Sequence, residues 1–328
     1  MRRRAFLGGL CGGLTFAALS ARAQLARQRK LGVILNYNEG DPEGQVRLNA
    51  LNQQLARQGW GNERDLQVSV RWTAGQPHLM RERVAEFIRQ PVDVMVVNST
   101  PLLTAVVGQT DAVPVVFTQV ADPVSTGFVT NYSRPGGNIT GFTDYDVSIA
   151  GKWVELLKAA APRAERILVL LDPDQKNHAS FLQVAETAAA AAKLQLSKAE
   201  VHDRDGIDRA ITALSGRSDG GLLVLPGPLA NTQRDLIIQL ANRFRLPAIY
   251  PQKYYVRDGG LLYYGADQLV QWTKAGEYVD RILRGEKPGN LPVQGPTKFE
   301  LVVNLTAAKA IGLTPSATFL ASADEVLD

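Results

Sequence analysis

Residues 93–123 read DVMVVNSTPLLTAVVGQTDAVPVVFTQVADP. Two apolar, β-branched runs, DVMVVNS and VPVVFTQV, flank the helical TPLLTAVVGQT. Runs that stay apolar, without alternation, mark strands covered on both faces, and the helix between them makes the pair parallel. The same phrase recurs on both sides. Upstream, KLGVILN (30–36) reads as a buried strand. The helix that follows carries Val46, Leu48, Leu51 and Leu55 near helical spacing and stops at Gly59. LQVSVRW (66–72) and HLMRERVAEFIRQ (78–90) repeat the pattern, ended by Pro91. Downstream, SIAGKWVELLKAAAP, RILVLLD, KNHASFLQVAETAAAAAKL, QLSKAEV, RDGIDRAITALS, GLLVLP, ANTQRDLIIQLANRF and PAIY continue it. The expected fold class is α/β: two doubly wound parallel-sheet lobes in tandem.

The tail sets how the lobes connect. LLYYGAD is a strand, QLVQWTKAGEYVDRILRG a long amphipathic helix and KFELVVN a last strand. We expect the long helix to return to the first lobe and the last strand to cross back, giving a three-strand hinge. Lobe one then comprises residues 30–144 plus 268–296, and lobe two residues 145–267 plus 297–328.

The first 23 residues, MRRRAFLGGLCGGLTFAALSARA, have a basic start, a short apolar run and an Ala-x-Ala site, the pattern of a cleaved secretory signal. Arg3-Arg4-Ala5-Phe6-Leu7 also resembles a twin-arginine export motif. The chain holds 36 basic and 32 acidic residues; the leader carries four arginines, so the remainder is formally neutral. No broad phosphate-neutralising surface follows, which argues against nucleic acid as a partner. The one cysteine, Cys11, leaves with the leader, so no disulfide, thiol nucleophile or cysteine metal site is expected. The expected product is an exported, periplasmic protein.

Ligands of open parallel sheets bind beyond the carboxyl ends of the strands. Those ends supply the candidates Asn36, Tyr37, Ser99, Thr100, Gln119, Asp122, Asp172, Asn231 and Tyr250, with Asp144, Tyr145 and Asp267 at the crossings. In Asn98-Ser99-Thr100-Pro101 a strand ends in hydroxyls and Pro101 can open the next helix, whose free N–H groups suit a carboxylate. Ser99 or Thr100 as a plain helix cap is the competing reading. Tyrosines at strand ends and crossings, Tyr37, Tyr250 and Tyr254 among them, suit either an organic ligand or a lobe boundary. Catalytic patterns are thin. His78, His178 and His202 are scattered and read as solvated, with no metal spacing, and no phosphate-binding glycine loop or nucleophile elbow follows a strand. No cofactor and no metal is expected. Asp172-Pro173-Asp174 could pair carboxylates, but a strand-ending Asp before Pro is ordinary turn chemistry.

One further stretch, VADPVSTGFVTNYSRPGGNITGFTD (120–144), resembles the corresponding block of bacterial ABC-transporter substrate-binding proteins of the tryptophan/aromatic amino-acid binding type. GGLLYYGAD, EYVDRILRGEKPGNLPVQGPTKFELVVNLTAAKAIGL and ASADEVL are similar to that family's C-terminal part. The resemblance implies a type I periplasmic-binding fold that holds a small organic solute, an amino acid or an aromatic or carboxylate-bearing compound, between its lobes. It also implies delivery to an inner-membrane ABC permease, by a monomer that is not an enzyme. It suggests contacts from the Ser99-Thr100 turn, Asp122, Asp144 and the loop after GLLVLP. In that loop the chain departs from amino-acid binders, because Pro226–Asn231 contains no acid. Two rivals remain: a periplasmic hydrolase using Asp172 or Asp174, and the effector domain of a transcription regulator.

Overall fold

The computed structural model describes residues 28–62, 64–144, 146–175 and 177–328. The leader, residues 1–23, lies outside them, and so does Tyr145.

Lobe one alternates β1 (Arg29–Leu35), α1 (Pro42–Leu55), β2 (Leu66–Trp72), α2 (Pro77–Arg89), β3 (Val94–Asn98), α3 (Thr100–Val107), β4 (Val115–Val120) and β5 (Ile139–Thr143). Its sheet runs β2-β1-β3-β4-β5, parallel throughout. Strands β3, β4 and β5 are buried along their whole length, as the apolar runs that open β3 and β4 lead one to expect. The order reverses between β1 and β3, so the helices after these strands leave on opposite faces and open a crevice at the strand ends. Near its end β4 shifts register against β5, and Gln119 there takes a positive φ of 56°. Such a bulge turns a side chain out of the ladder. On the facing strand only glycine fits at residue 141, because a Cβ would run into the Phe117 carbonyl.

Lobe two repeats the plan with β6 (Arg166–Leu171), β7 (Gln195–Glu200), β8 (Gly220–Val224), β9 (Ala248–Tyr250), β10 (Leu262–Gly265), β11 (Glu300–Asn304) and β12 (Glu325–Leu327). The order is β12-β11-β10-β9-β8-β6-β7, with the reversal between β6 and β8. The sheet is not wholly parallel: β10 and β11 run antiparallel, because β11 re-enters the lobe from the hinge after the third crossing.

Between β10 and β11 the chain visits lobe one. Helix α4 (Gln268–Leu283) packs Trp272, Ala275, Tyr278 and Val279 against Leu31, Val33, Leu35 and Leu51. Each fully buried side chain of this size stabilises by about 1.5–3 kcal/mol, enough to hold the helix on a lobe its neighbours in sequence leave. The crossings lie after Thr143, at Ala266-Asp267 and between Gly295 and Phe299. The first and third are zipped together: the Thr143 N–H donates to the Gln294 carbonyl (2.9 Å) and the Gln294 N–H to the Gly141 carbonyl (3.0 Å).

Candidate functional site

The carboxyl ends of the two sheets face each other across a cleft that encloses about 480 Å³, its open mouth included. Lobe one contributes Asn36 after β1, Asn98, Ser99, Thr100 and Pro101 after β3, Gln119 and Ala121 at the end of β4, and Asp144 at the first crossing. Lobe two contributes Gln175 and Asn177 after β6, the Pro226–Pro228 turn and Asn231 after β8, and Gln252 after β9. Among the described residues of this lining Asp144 is the one ionisable group, and none carries an aromatic ring.

The lobe-one wall is internally wired. Asn36 Oδ1 accepts from Thr73 Oγ1 (2.8 Å) and the Gly75 N–H (3.1 Å), while its amide donates to Ser99 Oγ (3.0 Å). Asn98 accepts from the Asn36 N–H (2.8 Å) and donates to Gln119 Oε1 (3.0 Å). Gln119 in turn donates to Gln268 Oε1, and its own N–H donates to Gln271 Oε1 (3.0 Å). Ser99 occupies the N-cap position of α3, but its side chain makes no capping bond, and its φ is 83°. A non-glycine residue held there is strained by roughly 1–3 kcal/mol, a cost that clusters at functional sites. With Pro101 in the first turn and no side chain capping it, the helix end meets the cleft uncapped.

Asp144 is 4% exposed, and Gln268 (2.9 Å) and Gln271 each donate to one of its oxygens. Burial pushes its carboxyl up to about 6, against the two amide donors and the Arg47 charge. Arg47, on α1, donates to Glu43 (2.6 Å) and to Gln268 Oε1 (2.9 Å). Its guanidinium lies 5.3 Å from the Tyr37 ring centre and 5.5 Å from that of Tyr254 in lobe two. The same helix carries the rest of an interlobe seam. Arg234 of lobe two donates to both oxygens of Asp41 (2.8 and 3.3 Å), and Arg257 donates to Glu43 (2.9 Å).

The sequence-based candidates divide. Asn36, Ser99, Thr100, Gln119, Asp144 and Asn231 come together in the lining. Tyr37 sits behind it, buried, with its hydroxyl 3.4 Å from Gln119 Nε2. Tyr250 lies in the lobe-two core against Tyr255, ring centres 5.0 Å apart. Asp122 is spent on its own turn, accepting from the Ser125 N–H, and Asp267 caps the helix Gln268–Leu283. Asp172 accepts from the Asp174 N–H and from Gln175 Nε2, one step behind the wall. With exposed Asp174 and His202 it brings ligand atoms within 4.8 Å of one another, the geometry of an exposed acidic turn beside the cleft lining.

His178 departs from its solvated reading. It is buried; its Nδ1 accepts from the Asp172 N–H (3.0 Å) and its Nε2–H donates to the Pro226 carbonyl (2.9 Å), so one ring ties the ends of β6 and β8 together. Burial lowers its proton affinity. A depressed histidine contributes stability that is full above the ordinary range and is lost as pH falls through the folded value. His178→Leu leaves two buried backbone groups unpaired and is expected to cost about 2 kcal/mol at pH 8 by urea unfolding. The gap to wild type should narrow toward pH 5; a constant gap would remove the ring from this role.

A sequence model of the family described as "ABC transporter substrate binding protein" matches residues 43–327. The chain belongs to that family. This substrate-binding protein is 28% identical over 229 residues to a tyrosine-binding protein of Clostridioides difficile (strain R20291), a match covering 70% of this chain and 66% of that one. The crystal structure of a conserved domain protein from Vibrio cholerae superposes with a TM-score of 0.84 at 28% identity, covering 92% of this chain and all of that one (100%). A Streptococcus pneumonia ABC domain in complex with L-Trp has the same fold, with a TM-score of 0.83 at 22% identity over 92% of this chain and 100% of that one. Membership of a binding family disposes of the hydrolase reading. The substrate-binding protein holds its ligand and does not convert it.

Proposed function

We propose that the chain is the periplasmic receptor of an ABC importer and closes its two lobes on one small organic solute, which it hands to an inner-membrane permease. The supporting observation is the convergence, in one interlobe cleft, of an uncapped helix end at Thr100, a buried carboxylate at Asp144 and amide side chains from both lobes. A solute carboxylate fits the α3 end, where peptide dipoles and free N–H groups favour negative charge. An ammonium group fits Asp144, the one charge among the described lining residues. The relatives' tyrosine and tryptophan point the same way, toward a zwitterionic solute.

The leader supports export, and among the described residues no helix is long and apolar enough to cross a membrane. Closure needs contacts that exist only when the lobes meet; the Asp41–Arg234 and Glu43–Arg257 pairs are such contacts. Small-angle scattering with and without the co-purifying solute tests the proposal. The radius of gyration is expected to fall on binding, and an unchanged radius with saturating solute would defeat the clamp.

A further inference from the structure

The two walls of the cleft differ in a way that bears on the solute itself. In lobe one the side chains of Asn36, Asn98 and Gln119 are committed to one another, to the backbone, or to the side chains of Ser99 and Gln268. In lobe two, Asn177 and Gln252 occupy N-cap positions of the helices His178–Ala191 and Lys253–Arg257, yet neither side chain makes a capping bond. Neither makes a hydrogen bond to any other described residue, although both line the cleft and are only 9% and 4% exposed. A primary amide offers two donors and one acceptor with two lone pairs. Two of them, largely buried as residues and open only to the cleft, are left free to pair with whatever the cleft holds.

From this asymmetry we infer that the solute carries an uncharged hydrogen-bonding group, a hydroxyl or a carboxamide, at its lobe-two end, and that Gln252 and Asn177 read it. The inference rests on the binding function proposed above and narrows it. An apolar end would seal both amides against hydrocarbon. Among the described residues of that wall, whose lining side chains are amides and prolines apart from the glycine, a second carboxylate or ammonium finds no opposite charge. A group that donates and accepts at once satisfies both. Sites built to hydrogen-bond a substrate hydroxyl reject the analogue that lacks it far more strongly than apolar pockets reject an extra methylene.

The test uses solute pairs that differ only at that end: L-tyrosine with L-phenylalanine, L-glutamine with L-norvaline, and 4-hydroxyphenylacetate with phenylacetate. Each is titrated calorimetrically into the full-length mature protein. At least one polar member is expected to bind, at least tenfold more tightly than its partner. Gln252→Leu should bring that ratio close to one, and Asn177→Leu should reduce it, both with unchanged thermal unfolding of the unliganded protein. Asp144→Asn should weaken both amino acids of a pair together and leave their ratio intact. Equal affinities within every binding pair, or ratios that survive both leucine variants, overturn the inference while the cleft function stands. Binding that also survives Asp144→Asn overturns the cleft assignment. If no compound binds, native mass spectrometry of the co-purified solute decides. A solute with a hydroxyl or carboxamide end supports the inference, and one with only apolar or charged ends refutes it; a protein that carries none and binds none refutes it too.

Discussion

Asp144→Asn is expected to weaken binding of an ammonium-bearing solute by a hundredfold or more while making the empty protein less sensitive to pH. Both effects follow from one buried carboxylate. Its folded value of about 6 stands above the ordinary 3.8, the first cause being burial. A raised acid contributes stability that is full below the unfolded value and is lost as pH rises through the folded one, so the ionised form burdens the empty protein by about 3 kcal/mol at neutral pH. The difference in unfolding free energy between variant and wild type should therefore shift by about that much between pH 4 and pH 8, in favour of wild type at pH 4. The bound solute reverses the balance, because its ammonium restores a partner for the charge; removing one member of a buried pair costs about 3–5 kcal/mol. Wild-type affinity should accordingly rise about tenfold per unit from pH 5 toward pH 6 and level off above it. Calorimetry across that range checks the point. A flat profile, or an asparagine variant that binds as well as wild type, would take Asp144 out of the ammonium role.

The elements that were legible are those whose burial forces an unbroken run of β-branched residues, such as β3 and β4, and whose turn chemistry sits at the strand end, such as Ser99 and Thr100. Polar side chains at strand ends were legible for the same reason: a crevice lies there in any doubly wound sheet. Tyrosines misled. Tyr250 reads as a wet-ended aromatic, yet its whole ring lies in the lobe-two core, because sequence position does not say to which side of a sheet's end a large ring turns. His178 carries no mark of the two backbone groups it joins, since Pro226 lies 48 residues away. The antiparallel β11 follows from the hinge's third crossing and not from its own composition. One signal was present and unused. Gln268 and Gln271 stand three apart on the buried side of an amphipathic helix, where a core would call for apolar residues. Amides at that spacing on that face mark something polar to be held, and they hold Asp144.

Arg47→Met is expected to destabilise the protein by about 3 kcal/mol, the lower end of the cost of breaking a buried charge pair. The lower end applies because neither partner is wholly abandoned: Glu43 retains Arg257, and Gln268 Oε1 retains the Gln119 amide. What is lost is the cation between the Tyr37 and Tyr254 rings and the positive charge nearest the network that holds Asp144. Without it the carboxyl should move further up, so the variant's affinity for an ammonium solute should reach its plateau at a higher pH than wild type. The two sites are therefore coupled. In a double-mutant cycle by chemical denaturation at pH 8, Arg47→Met should cost less in the Asp144→Asn background than in wild type, by about 0.5–3 kcal/mol, because an amide has no charge to be offset. Additive costs would mean that Arg47 only fills space between the lobes. A coupling of the expected sign would show that the helix starting at Pro42, which touches both lobes, also sets the charge of the carboxylate between them.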